Sequence, residues 1–268
     1  MFSKVKNIII RLVYFTLPVI FLILGNMFIY FVVTSTINHR EAKIFVGAVL
    51  GLVLFVALKL IVQALAKVSA ITKPKKRKFS SFLIGLLIGI FISCMSAYLF
   101  ASSQVKIFNW SSFKKDVMYS AVSSIAPATS EEVVFRYGIV HGVTILTKPF
   151  YGILAGSIPF GFVHFLNLFF HQNVSLQQVL SICIAGVLLS LIFIDFGLYA
   201  AIGCHFIWNT FSAPWMKAMG LDVVKEVSSF EGAPTTSLTL GIVIFCLLLI
   251  RYNRLNTIDK KNVLDPAR

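Results

Sequence analysis

The sequence is poor in charge, since only 13% of its 268 residues are Asp, Glu, Lys or Arg. Soluble domains average about 25% charged residues. Hydrophobic residues make up 58% of the chain, and the mean hydropathy is +0.89. Apolar runs of about 18 residues or more recur along the chain, which is typical of membrane helices. The composition therefore excludes an ordinary soluble globule and leaves no room for a second, soluble domain.

Cysteine is scarce, and its pattern excludes two further classes of protein. The four cysteines are Cys94, Cys183, Cys204 and Cys246. All four lie within apolar runs and none forms a CxxC pair, so the pattern indicates neither a disulfide framework nor a thiolate metal site. The N-terminal run at 8–33 is too long for a signal peptide and is not followed by a cleavage motif. It is predicted to be a retained first span.

The apolar runs predict an all-α fold, a polytopic transmembrane helical bundle with about eight spans. The predicted helices lie near 8–33, 44–66, 79–101, 116–147, 149–170, 176–195, 197–215 and 236–251. We divide the chain into N-terminal membrane helices with a basic loop (1–115), a membrane core (116–251) and a tail (252–268). No internal repeat is visible.

The net charge of +14 comes from 24 basic and 10 acidic residues, and most of the basic ones lie between the apolar runs. This placement favours a topological role over nucleic-acid binding. With both termini on the cytoplasmic side, the inner segments hold 15 basic residues and the outer ones 7. The positive-inside rule therefore predicts a multi-pass cell-membrane protein with cytoplasmic termini. The run Lys73–Lys78 gives the strongest support and is interpreted as a stop-transfer anchor, with a specific site for anionic membrane lipids as the alternative.

Ionisable residues within the predicted spans are few, and the densest group is Ser130-Glu-Glu-Val-Val-Phe-Arg136. Glu132 and Arg136 are four residues apart, so on a helix they can form an ion pair on one face. Glu131 points about 100° away from Glu132. The spacing thus predicts that Arg136 neutralises Glu132 while Glu131 stays available. A carboxylate removed from water can act as a base.

Two further pairs lie four residues apart, Phe160 with His164 and His205 with Asn209. Each pair shares one helical face. Asn209 is predicted either to orient His205 or to donate a hydrogen bond to a developing oxyanion. Pro127 is predicted to break or kink the helix before the glutamates, with Thr129 or Ser130 capping the helix that begins after it.

The order EExxxR, FxxxH, HxxxN on successive membrane helices resembles the CPBP family of CAAX prenyl endopeptidases and bacterial Abi proteins. This resemblance implies an intramembrane protease in which a glutamate and histidines activate water. By position, Glu131 is the catalytic glutamate and Glu132 its partner, and Arg136 completes the first motif. His164 belongs to the second motif, and His205 and Asn209 to the third. His141, His171 and Asp195 lie outside the motifs and are predicted to be structural or interfacial.

The predicted function is hydrolysis of a peptide bond in a membrane-associated protein or peptide. Glu131, with His164, would deprotonate the attacking water, and His205 and Asn209 would stabilise the oxyanion. Glu132, Arg136 and Phe160 have supporting roles. No cofactor is predicted. Zinc is a chemically possible alternative, but HExxH is missing and the ligands would come from three helices.

Three alternatives remain open from the sequence. A non-catalytic bacteriocin self-immunity or scaffold protein would keep the same bundle and act by binding alone. A transporter would also use buried Glu, Arg and His, but would be expected to show inverted repeats. A thiol protease would use Cys204, although adjacent helical residues point about 100° apart, so Cys204 and His205 diverge.

Overall fold

The computed structural model describes residues 2–37, 39–69, 79–101, 109–169 and 176–218, together with isolated positions 241, 243, 244 and 248. All regular secondary structure within these residues is helical. The all-α prediction is therefore confirmed.

The helices follow one another through short connections. In chain order they are α1 (Phe2–Thr36), α2 (Arg40–Val68), α3 (Ser81–Ala101), α4 (Trp110–Glu131), a π-helical segment (Glu132–Val140), α5 (His141–Leu146), α6 (Pro149–Phe169), α7 (Leu176–Phe196) and α8 (Leu198–Ala218). The backbone stays helical at both ends of the π segment. The helix predicted at 116–147 is thus observed as the continuous run of α4, the π segment and α5.

Three helices in the described ranges are long and apolar enough to cross a bilayer, over Ile9–Val33, Phe45–Val68 and Val179–Phe196. The apolar stretch of α3, Ser81–Ser96, is shorter. These segments indicate a membrane protein. The count of eight spans stays a prediction, and the span predicted at 236–251 lies almost wholly outside the described residues.

Small residues let the helices of the C-terminal half approach closely. Helices α6 and α7 pack against each other, as do α3 and α8. A Cβ added to Gly186 of α7 would lie 2.9 Å from Cα of Ser157 on α6. Gly197 has a φ of 92°, a conformation that glycine adopts at little cost, and it joins α7 to α8 in a single residue. Small side chains thus bring α6, α7 and α8 together around the π segment.

The π segment lies at the centre of this bundle. It contacts α1, α2, α6, α7 and α8, and all but one of its nine residues are buried. π-helical turns are rare and frequently occur at functional sites. The segment begins at Glu132, so the change of helix type falls between the two neighbouring glutamates.

The helix does not break at Pro127, which lies inside α4, so that part of the prediction was wrong. Thr129 and Ser130 do not cap a new helix either. Their hydroxyls donate back to carbonyls of the preceding turn, from Thr129 Oγ1 to Ile125 O (2.6 Å) and from Ser130 Oγ to Ala126 O (2.7 Å). Such bonds within the helix satisfy the hydroxyls without ending it.

Candidate active site

Glu132, Arg136 and His205 form a buried group of polar side chains, which we call the closed side of the site. Arg136 Nε lies 3.3 Å from Glu132 Oε2, and both side chains are fully buried. His205 on α8 lies 2.8 Å from Glu132 Oε1 through its Nδ1. The predicted ion pair between Glu132 and Arg136 is confirmed. The bond from His205 to Glu132 was not foreseen, because it depends on how α8 packs against the π segment.

Arg136 is held in place from two further directions. Its guanidinium carbon lies 4.2 Å from the centre of the Phe160 ring, in cation–π geometry. Its Nη2 lies 3.5 Å from the carbonyl oxygen of Gly186, which also accepts a hydrogen bond of 2.7 Å from Ser190 Oγ. Gly186 and Ser190 are four residues apart on α7. That spacing of small residues is the signal in the sequence that could have indicated a contact between α7 and the Arg136 side chain.

Glu131 lies near both histidines. We call this group, made of Glu131, His164 and the Nε2 edge of His205, the open side of the site. Glu131 Oε2 is 3.5 Å from His164 Nε2 and 3.8 Å from His205 Nε2. The exposed fractions of the Glu131 and His164 side chains are 11% and 28%. Glu131 of α4, His164 of α6 and His205 of α8 therefore meet in one cluster, as the motifs predicted.

The distances on the open side are longer than direct hydrogen bonds. Glu131 Oε2 has no hydrogen-bond partner in the described part of the chain, although it is buried. Buried polar atoms are normally satisfied, by water where no protein group is available.

The partners of the two Nδ1 atoms fix the tautomer that each imidazole adopts when it is neutral. Glu132 and the carbonyl oxygen of Phe160 can only accept hydrogen bonds, so His205 Nδ1 donates to the first and His164 Nδ1 to the second, at 2.8 Å in each case. In its neutral form each ring then carries its lone pair on Nε2, on the side of Glu131. A carboxylate and a neutral imidazole are both proton acceptors, so this arrangement can remove a proton from water.

Asn209 lies one turn beyond His205 on α8, with an exposed side chain. No observed contact joins it to Glu131, His164 or His205. It is therefore accessible from outside the cluster but is not part of its hydrogen-bond network.

Phe160 connects the two sides of the site. Its ring centre lies 4.5 Å from that of His164 and 5.9 Å from that of His205, while Arg136 covers its face. The edge of Phe135 packs against the same ring at 5.3 Å. A buried aromatic ring at this point holds both imidazoles and the guanidinium in fixed relative positions.

Three of the remaining polar candidates, His141, Asp195 and Cys204, lie within the described residues. The ring of His141 packs near Phe193, with 6.5 Å between the centres, and Asp195 makes no observed contact with the cluster. Cys204 is fully buried, so its thiol is not accessible to a substrate. His171 lies outside the described residues.

A carboxylate and two imidazoles form a donor set that zinc accepts in hydrolases. Even so, no group of three His, Cys, Asp or Glu side chains in the described part of the chain has the geometry of a metal site. The donor atoms of Glu131, His164 and His205 lie 3.5 and 3.8 Å apart, which is close to the separation of two ligands of one zinc ion. Zinc therefore stays the alternative that removal of metal tests.

Comparison with known proteins gives one match. Residues 113–211 match the family model described as type II CAAX prenyl endopeptidase Rce1-like. No curated protein matches the chain, and no solved structure matches it. The matched segment contains EExxxR, FxxxH and HxxxN together with the pocket that they form. The resemblance to the CAAX prenyl endopeptidase family is therefore confirmed over the part of the chain that carries all three motifs.

Proposed function

We propose that this protein is an intramembrane endopeptidase that hydrolyses a peptide bond in a membrane-associated protein or peptide. The observation that carries the proposal is the convergence of Glu131 with His164 and His205 in a partly open pocket, at 3.5 and 3.8 Å. The family match supports a protease, since the matching family is one of endopeptidases. The location of the pocket among apolar helices favours a substrate that is itself in or at the membrane.

In the proposed mechanism Glu131, together with His164, takes a proton from a water in the pocket. The water oxygen then bonds to the carbonyl carbon of the scissile peptide bond. His205 in its imidazolium form, which carries a proton on Nε2 as well as on Nδ1, and the amide of Asn209 donate hydrogen bonds to the resulting oxyanion. The bond from carbon to nitrogen breaks as the proton from the water passes to the leaving amine. No covalent intermediate with the enzyme is needed.

The closed side makes this chemistry possible without reacting itself. The Glu132 carboxylate accepts the hydrogen bond of His205 Nδ1, and its negative charge stabilises the protonated ring. Arg136 neutralises Glu132 so that two adjacent carboxylates can occupy one buried region. Glu131 is thereby left as the carboxylate that reacts, and we propose that the reaction requires no metal.

The proposed topology places the chain in the cell membrane as a multi-pass protein with both termini in the cytoplasm. The proposed catalytic core, 116–251, contains nearly all of the matched segment. A biological role in bacteriocin processing or in self-immunity is compatible with this core. Identification of the substrate would distinguish processing from self-immunity.

Comparative peptidomics tests the proposal. Membranes from cells that carry the wild-type protein, the Glu131→Gln variant or no protein would be analysed for newly formed peptide termini. Glu131→Gln keeps the shape of the side chain and removes its basicity. We expect one set of termini that appears with the wild type alone.

Equal peptide patterns in all three membranes, with both proteins accumulating normally, would contradict an endopeptidase. If Glu131→Gln then kept the full biological activity of the wild type, a non-catalytic immunity or scaffold protein would be the better account. Net movement of an ion or solute into liposomes that contain the purified protein would instead favour a transporter.

A further inference from the structure

The N-terminal helix α1 reaches the π segment through one buried hydroxyl. Tyr14 Oη donates to the carbonyl oxygen of Gly138 at 3.1 Å, and Tyr14 is only 2% exposed. The two residues are 124 positions apart in the chain. Tyr14 also lies outside 113–211, the segment that matches the family.

Tyr14 packs against two glycines of the helical run that contains the π segment. Gly138 supplies the carbonyl, and Gly142, one turn later, leaves room for the ring. A Cβ added to Gly142 would lie 2.7 Å from Cε1 of Tyr14 and 3.0 Å from Cε1 of Phe15. The absence of a side chain at Gly142 is therefore needed for α1 to approach this closely.

The hydrogen bond from Tyr14 to Gly138 lies near the end of the π segment, where the chain returns to α-helical form. The backbone N–H of His141 donates to both Arg136 O and Gly138 O at this point, so two hydrogen-bonding patterns overlap. No water is available in a bilayer to satisfy a carbonyl freed by such a change. The Tyr14 hydroxyl supplies the Gly138 carbonyl with a hydrogen-bond donor from another helix, whether the segment is π-helical or α-helical.

The register of the π segment decides how the two glutamates of the site are oriented relative to each other. Glu132 and Arg136 lie on it, Glu131 directly precedes it, and a return to α-helical form would rotate these side chains relative to one another. We propose that Tyr14 is a positioning residue for Glu131 and Glu132, and that α1 is part of the functional unit. This inference rests on the proposed function.

The Tyr14→Phe variant tests the inference, since it removes the hydroxyl and keeps the buried ring. Purified wild type and variant would be compared in liposomes on a membrane peptide that the peptidomic experiment shows to be cleaved. We expect kcat to fall about tenfold, the upper range for a single hydrogen bond, with KM and the unfolding temperature unchanged. Tyr151→Phe, which removes the hydroxyl of an exposed tyrosine, is the matched control and should leave kcat unchanged.

A second measurement does not depend on catalysis. Amide hydrogen exchange over 132–142 should be faster in Tyr14→Phe than in wild type, because the π segment loses its support at Gly138. Gly142→Ala, which pushes the Tyr14 ring away, should increase exchange in the same region.

Wild-type kcat together with wild-type exchange in Tyr14→Phe would overturn the inference. So would a loss of kcat that only follows a loss of folded protein. A peptide that Glu131→Gln cleaves as fast as the wild type would instead contradict the proposed function, and the exchange measurement would still decide whether Tyr14 supports the π segment.

Discussion

The two glutamates of the site are adjacent in the chain, yet they lie in opposite surroundings. On the closed side, Glu132 and Arg136 are fully buried, and His205 Nδ1 completes the group at 2.8 Å. On the open side, Glu131 and His164 are partly exposed and separated by 3.5 Å. Neighbouring positions of one helix thus hold a carboxylate that is paired with an arginine and a histidine, and a carboxylate that is not. We propose that Glu132 stabilises the structure and that Glu131 carries out the chemistry.

Breaking the closed side should have the largest effect. Arg136→Met leaves Glu132 as a buried charge without its main partner, which costs about 3–5 kcal/mol. This is a large part of a typical total stability of about 5–15 kcal/mol. We expect little folded protein and no activity, measured by accumulation in membranes and by thermal unfolding in detergent.

The double variant Arg136→Met, Glu132→Leu is the matched control, because it removes both charges. We expect it to accumulate better than Arg136→Met alone while remaining inactive. Normal accumulation and stability of the single variant would show that the closed side is not a structural unit.

Breaking the open side should remove activity but not the fold. His164→Ala deletes a partly exposed ring whose Nδ1 bonds only to the preceding turn of its own helix. We expect the cleavage rate to fall about 10²–10⁴-fold, as for the loss of an acid–base group. The unfolding temperature, measured on the same sample, should stay close to that of the wild type. A parallel loss of stability would place His164 with the closed side instead.

Asn209→Ala should also lower activity without lowering stability, because Asn209 is exposed and lies outside the observed hydrogen-bond network of the cluster. An oxyanion donor contributes about 10²-fold or somewhat more to kcat. We expect a fall of about this size with KM and stability unchanged, measured by steady-state cleavage in liposomes. Lys148→Gln, another exposed polar change, is the control and should behave as wild type. Full activity of Asn209→Ala would remove Asn209 from the mechanism.

Removal of metal should have the smallest effect. After treatment with a zinc chelator and buffer exchange, we expect the cleavage rate to stay within error of the untreated protein. The rate is measured on the same liposomes before and after treatment. Loss of activity that added zinc restores would show that Glu131, His164 and His205 act as ligands rather than as acid–base groups.

Much of the site could be predicted from the sequence because its spacing is local. Four residues separate Glu132 from Arg136, and a helix places such residues on one face, so the ion pair was predictable. The separate role of Glu131 followed from the angle between adjacent helical residues. That Glu131, His164 and His205 meet followed from the motif resemblance, and the structure agrees with it.

The features that could not be predicted depend on contacts between distant helices. The π segment has no local signature, and its hydrogen bond to Tyr14 spans 124 positions. The bond from His205 to Glu132 is set by the packing of α8. Thr129 and Ser130 looked like caps, but their hydroxyls are satisfied within a helix that continues through Pro127. Local propensity failed here because tertiary packing keeps this run helical.

The proposed mechanism requires that Glu131 activates the water while Glu132 does not. The cleavage rate of purified Glu131→Gln in liposomes addresses this requirement, measured beside the wild type and with the unfolding temperature of each sample. We predict a fall in kcat of about 10³-fold or more, with the unfolding temperature unchanged. A variant that is as well folded as the wild type and cleaves at a similar rate would contradict the mechanism.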